Sequence, residues 1–212
     1  MKNSLLVLTL ILLAITACKK DNDPAAPVDE IVYTQLNPYV ELTSVDSFYT
    51  ISYYGIPIPC NGDSSTIYYM DIDGDSVYDY HLSVRNWYKF VSASKPDGNF
   101  HLSMMLWSAD SSYNNNMSTE EPFPFPVFVE KNNPIGNTIN WFYFSVLMSR
   151  DYESRIHTDF SGDKYMGLQL IKGNDKHYGW IHLERVDYFK IRILGYAYNK
   201  TPNLPIKAGQ KE

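Results

Sequence analysis

The chain has 212 residues, 44% hydrophobic and 20% charged, which suits one globular domain or two small ones. Its net charge is −6 and its cations are scattered, so no basic stripe is available for phosphate, which argues against a nucleic-acid partner. Only two cysteines occur, and lipid claims one of them below, so Cys60 has no intramolecular partner and there is no disulfide framework.

The chain opens with Lys2 and the apolar run from Leu5 to Ile15. A bilayer span needs about 20 apolar residues, so this run reads as the core of a secretory signal. It ends in Ile15-Thr16-Ala17-Cys18. This pattern resembles a lipobox: small residues fit the signal peptidase, and the Cys18 thiolate takes a diacylglycerol before cleavage. The reading is a signal peptide over 1–17, then a lipidated Cys18 whose two or more acyl chains hold the protein on a membrane. The competing reading is an ordinary signal peptide with an incidental cysteine. Cleavage removes Lys2 and takes the formal charge from −6 to −7. Residues 18–30 are rich in Pro, Ala and charge and read as a flexible tether. Cys18 followed by Lys19-Lys20-Asp21-Asn22-Asp23 resembles the surface lipoproteins of Bacteroidota, which implies the outer membrane and exposure at the cell surface.

The body, 31–212, has almost no helical periodicity. Short aromatic and β-branched runs predict strands near 31–35, 46–54, 66–72, 78–87, 99–107, 138–148, 164–171, 177–185 and 189–198. Turn clusters such as Pro57-Ile58-Pro59, Asn61-Gly62-Asp63 and Gly173-Asn174-Asp175 separate them. Tyr80, Leu82 and Val84 alternate with His81, Ser83 and Arg85; Ile191 and Ile193 alternate with Lys190 and Arg192. The run Trp141 to Leu147 is apolar on both faces and predicts a central strand. The expected fold is all-β, a single β-sandwich or jelly roll. Residues 108–130, with Pro122, Pro124 and Pro126, do not fit a central strand. They predict a long loop, either a binding loop or a solvated excursion with Phe123 and Phe125 packed down.

The strongest chemical motif is Asp71-Ile72-Asp73-Gly74-Asp75-Ser76-Val77-Tyr78-Asp79. Asp71, Asp73, Asp75 and Asp79 fall at loop positions one, three, five and nine, and Val77 offers a backbone carbonyl at seven. Calcium takes six to eight such oxygens. The spacing resembles the aspartate-rich loops of integrin-type repeats and EF-hand-like sites. Their glycine after position five is Ser76 here, and Leu82 stands where their distal glutamate would be. The resemblance implies a structural Ca²⁺ of weak affinity, about 10⁻⁴–10⁻³ M. The competing reading is an acidic turn without metal.

The C-terminal region carries Tyr165-Met166-Gly167-Leu168, His177-Tyr178-Gly179-Trp180, Gly195-Tyr196-Ala197-Tyr198 and Pro205-Ile206-Lys207-Ala208-Gly209. This order is similar to a widespread group of secreted bacterial β-proteins that have no assigned activity. Gly179 predicts a close approach of a neighbouring strand or aromatic ring. Tyr178, Trp180, His182 and Glu184 share a strand face, which admits two readings. One is a sugar platform; the other places Trp180 in the core and the polar pair at the strand's open end.

His81, His101, His157, His177 and His182 stand singly, with no HExxH motif and no nucleophile elbow. Carboxylates such as Glu41, Glu130 and Glu184 could in principle pair for glycoside hydrolysis. Two functions therefore compete. The first is a non-catalytic envelope protein that binds glycan or an envelope partner. The second is a glycoside hydrolase or other hydrolase on a jelly-roll scaffold. The lack of catalytic motifs favours the first. An aromatic groove without facing carboxylates supports binding, and two convergent carboxylates in a cleft support hydrolysis.

Overall fold

The computed structural model describes residues 28–44, 47–53, 56–62, 64–89, 99–109, 115–120, 124–150, 156–158, 160–187 and 190–212. Residues 1–27, which hold the expected signal peptide, Cys18 and most of the expected tether, lie outside the described residues, as does Phe123.

The described residues form antiparallel sheets and no helix, as the alternation predicts. The larger sheet uses β1 (Ile31–Thr43), β15 (Lys190–Asn199), β14 (Asp175–Asp187), β13 (Gly162–Lys172), β7 (Asn116–Ser118) and β10 (Trp141–Phe142), in that order. A short β8 (Phe128–Val129) also pairs with β13. The second sheet runs β12 (Ile156–Thr158), β11 (Phe144–Arg150), β6 (Asn99–Ser108), β5 (Tyr80–Lys89) and β4 (Ser64–Met70). Two small pairs remain: β2 (Ser47–Tyr53) with β3 (Ile56–Gly62), and β9 (Pro134–Ile135) with β16 (Ile206–Lys207).

The two large sheets close on one core. Tyr80, Leu82, Val84, Met104 and Leu106 from one meet Met166, Leu168, Ile181, Leu183, Ile191 and Ile193 from the other. Burying each aliphatic side chain of this kind contributes about 1.5–3 kcal/mol. His81, Ser83 and Arg85 point the other way, as the period of two requires. Tyr80 also stitches the sheets together. Its hydroxyl lies 2.9 Å from the Asn116 carbonyl and 3.0 Å from that of Gln169, so its one polar atom is satisfied.

Strand β15 contains a slip that the alternation does not reveal. Ile191 and Ile193 face the main core, but so do Tyr196 and Tyr198, three residues and then two further on. Leu194 is the extra residue. On β14, His182 pairs with Gly195 and Leu183 with Ile193, so Leu194 is skipped. On β1, Gln35 pairs with Gly195 and Val40 with Ile193, so residues 36–39 bulge out opposite it. Such a bulge re-aims side chains on either side of the extra residue.

The larger sheet is also covered on its outer face. Tyr178, Trp180 and Ala197 pack there against Ile135, Ile206 and Ala208, under the β9–β16 arm. The indole N–H of Trp180 donates to the Gln210 carbonyl at 3.1 Å. The approach predicted for Gly179 is present: a Cβ built there would lie 2.6 Å from the Ala197 carbonyl oxygen, which only glycine allows. Gly173 has φ +64 in the two-residue turn between Lys172 and Asp175.

Several expectations are corrected. The run Trp141 to Leu147 is not one central strand; it breaks at Tyr143, with β10 at the edge of one sheet and β11 inside the other. Corner residues that switch sheets carry apolar side chains on both faces for this reason. Residues 115–120 and 124–130 form neither a lid nor a solvated loop. Met117, Ser118 and Thr119 are buried, and the Pro124 carbonyl accepts from the Val146 N–H at 2.8 Å. Pro57 and Pro59 lie inside β3 rather than breaking it. They are two residues apart, so both missing N–H groups fall on the free edge of a two-stranded pair, where none is required. Cys60 stands on the same strand. Residues 28–30 make contacts with the 199–201 turn. The Thr201 hydroxyl donates to the Val28 carbonyl, Asn199 Nδ2 donates to Asp29, and Lys200 pairs with Glu30.

Candidate functional site

Two places gather chemistry-bearing side chains. The first is the Asp71–Asp79 loop between β4 and β5. Asp71, Asp73 and Asp79 each offer a carboxylate oxygen, and these oxygens lie within 4.8 Å of one another. Asp75, predicted as the third ligand, is not in this group. Its Oδ1 accepts from the Val77 N–H at 2.8 Å, and the Val77 side chain stands in solvent. Asp71 is the organising residue: its oxygens accept from the N–H groups of Gly74, Asp75 and Ser76 at 2.7, 3.2 and 2.8 Å. Ser76 takes φ +73, the left-handed conformation for which related loops use glycine. Lys172 pairs with Asp73, whose side chain is 1% exposed.

Asp79 is buried. Its carboxylate accepts from the Ile72 N–H at 2.7 Å and from Asn115 Nδ2 at 3.2 Å. Burial pushes its carboxyl up to about 6, and the negative charges of Asp73, Asp75 and Asp71 push the same way, against the Ile72 hydrogen bond. A cleft of about 370 Å³ opens beside it, lined by Asp73, Asp75, Asp79, Asn115 and Lys172 among others.

The second place is a groove of about 470 Å³ on the outer face of the larger sheet, over the Leu194 bulge. Residues 36–39 of β1 form one wall. Tyr33, Tyr165, Trp180 and His182 form the floor, and Lys131 and Lys211 stand at the C-terminal side. The rings are braced. Tyr165 stacks on His182 at 4.2 Å and 10°, and meets Trp180 edge-on at 5.4 Å. The ammonium of Lys211 lies 4.4 Å from the Tyr33 ring centre. Tyr33 donates a hydrogen bond to Gln35. Tyr39 is 46% exposed and carries the Arg192 guanidinium at 4.5 Å over its other side.

No aspartate or glutamate is among the described residues lining this groove. The carboxylates around it are engaged. Asp163 holds His182 Nε2 at 2.8 Å, and that bond keeps its carboxyl below the usual range. Arg192 sits between Glu41 and Glu184, at 2.9 and 3.2 Å. Its hydrogen bond holds the Glu41 carboxyl low. A general acid needs a raised value, the opposite of the direction at Glu41. Glu130 is exposed on a different segment.

The four residues of the predicted sugar platform are separated by this geometry. Tyr178 and Trp180 are 0% and 1% exposed, so their ring faces are covered by the second core rather than open to a ligand. His182 reaches the groove, while Glu184 is bound to Arg192. The aromatic surface that does open comes from Tyr33, Tyr39 and Tyr165. A further aromatic row crosses the outer face of the five-stranded sheet, with Tyr69, His81, Trp107 and Phe144 in register. Trp107 and Phe144 stack on each other at 4.8 Å and 19°, which makes this row a cross-strand ladder, exposed at its Tyr69 end.

The Asp79 shift predicts a pH dependence. Its carboxyl ionises near 3.8 when unfolded and near 6 when folded, so between these values the native state holds the extra proton. Stability in chelator is therefore fully present below about pH 4 and falls as pH rises through 6, by at most about 3 kcal/mol from this group. Urea unfolding across this range measures it, and Asp79→Asn should flatten the slope.

Comparison with protein-family models, with curated proteins and with solved structures finds no match to this chain.

Proposed function

We propose that the chain is a lipid-anchored protein of the bacterial cell envelope that binds glycan without cleaving it, through the groove over Leu194. The observation that carries this reading is a groove lined by the half-buried Tyr33 and Tyr165 and the exposed Tyr39, with no carboxylate among its described lining residues. Aromatic faces stack on pyranose rings, while Gln35, Asn37 and His182 supply the few placed polar groups that orient a ligand. Hydrolysis would require two convergent carboxyls with separated acidities. Glu41 and Glu184 instead share one guanidinium.

The location follows from Cys18 and the apolar run before it. Ten residues, 18–27, separate the lipid from Val28, where the chain is fastened beside Asn199 and Thr201. The charged residues after Cys18 favour the surface leaflet of the outer membrane.

The acidic loop is proposed to hold a structural Ca²⁺ on Asp71, Asp73 and Asp79. Three hard oxygens within 4.8 Å fit that ion, and among the described residues only Lys172 offsets their charge directly. The cation would lift the repulsion that burial imposes on Asp79 and would tie the β4–β5 turn to Asn115.

Two outcomes test these readings. The full chain in detergent micelles should be retarded in gels containing a subset of polysaccharides and release no reducing sugar from them. Tyr165→Ala should weaken retention by about tenfold, because one stacked ring contributes on the order of 1 kcal/mol or more. Product release would reinstate the hydrolase. Separately, millimolar calcium should raise the melting temperature by several degrees, and Asp73→Ala should remove that rise. An identical melting curve with and without calcium would remove the ion.

A further inference from the structure

We propose that the groove selects an acidic polysaccharide, one whose sugar rings carry carboxylates; this rests on the groove being a glycan site. The argument is one of uncommitted charge. Lys131 and Lys211 both line the groove, and neither forms an ion pair among the described residues. The other basic groups around the groove have acidic partners: His182 has Asp163, and Arg192 has Glu41 and Glu184.

The two lysines come from distant parts of the sequence and are brought together by the backbone. The Asn132 N–H donates to the Ala208 carbonyl and the Ala208 N–H to the Asn133 carbonyl, each at 2.9 Å. These bonds dock the C-terminal arm on the 131–133 turn, and both lysines line the same groove. A chain of net charge −6 repels an approaching polyanion at long range. The described lining itself holds two lysines outside any ion pair and no carboxylate, so an acidic sugar seated there meets cations, a contact a neutral sugar does not gain. Lys211 lies over the Tyr33 ring, and Tyr165 lines the same groove, so a sugar on Tyr165 can bring its carboxylate to an ammonium.

The test uses the full chain in detergent micelles and three probes: a uronic-acid polymer, the same polymer with its carboxyls reduced to alcohols, and inorganic polyphosphate. The uronate polymer should bind at least about tenfold more tightly than its reduced form, the value of one charge-assisted contact. Rising salt should erase the difference. The double substitution Lys131→Ala with Lys211→Ala should bring the ratio to one, with a cooperative melting curve showing that the variant is folded. Lys131→Arg with Lys211→Arg should restore the ratio. Equal binding of the acidic and reduced polymers would overturn the charge selection and leave the glycan site standing. Polyphosphate bound as tightly as uronate would also overturn it, since rings would then be irrelevant. Binding of neither sugar polymer would instead remove the glycan reading itself.

Discussion

One extra residue in β15 organises the outer face of this protein. A regular strand that buries Ile191 and Ile193 would turn Gly195 and Ala197 into the same core. Leu194 shifts the phase, and Tyr196 and Tyr198 go inward instead. Both neighbouring strands must then step around Leu194, and β1 does so by throwing out residues 36–39. The groove is the space this detour leaves. Gly195 keeps the floor low: a Cβ there would stand 2.8 Å from the Thr34 carbonyl oxygen.

The same sheet is pressed from both sides near this point, and that fixes the groove's walls. Trp180 anchors the second core under the β9–β16 arm, which carries Lys211 with it. Beyond the arm the face opens, and the side chains become a ladder of charge: Glu184, Arg192 and Glu41 lie side by side across three strands. Exposed pairs of this sort contribute little stability. Their consequence here is to occupy the carboxylates, which leaves the groove's own cations as the unbalanced charges. The acidic loop does the reverse, gathering carboxylates around one lysine.

Much of the sandwich was legible because alternation is a local signal. Tyr80 to Arg85 and Lys190 to Ile193 declare their faces within six residues. Gly179 was legible too, because a glycine between two aromatics in a strand gives up packing area unless a neighbouring backbone fills the space. The failures are non-local. Prolines at 122, 124 and 126 hide that Met117 and Ser118 pair with β10 and β13. The apolar run from Trp141 hides a corner. Nothing in the spelling of Ile193-Leu194-Gly195 announces a phase change, so Tyr33, Tyr165, Lys131 and Lys211 could not be assembled into one groove from sequence. The acidic loop was half legible. The spacing of carboxylates was plain, but which of them cap their own backbone depends on turn geometry, and Asp75 turns to Val77.

The most direct test of the groove is where a bound ligand touches the protein. Backbone ¹H–¹⁵N shifts of the full chain in micelles, recorded with and without a retained polysaccharide, should move at residues 33–39, 131–133, 194–195 and 209–211. Shifts confined to Tyr69, His81, Trp107 and Phe144, on the opposite sheet, would contradict it.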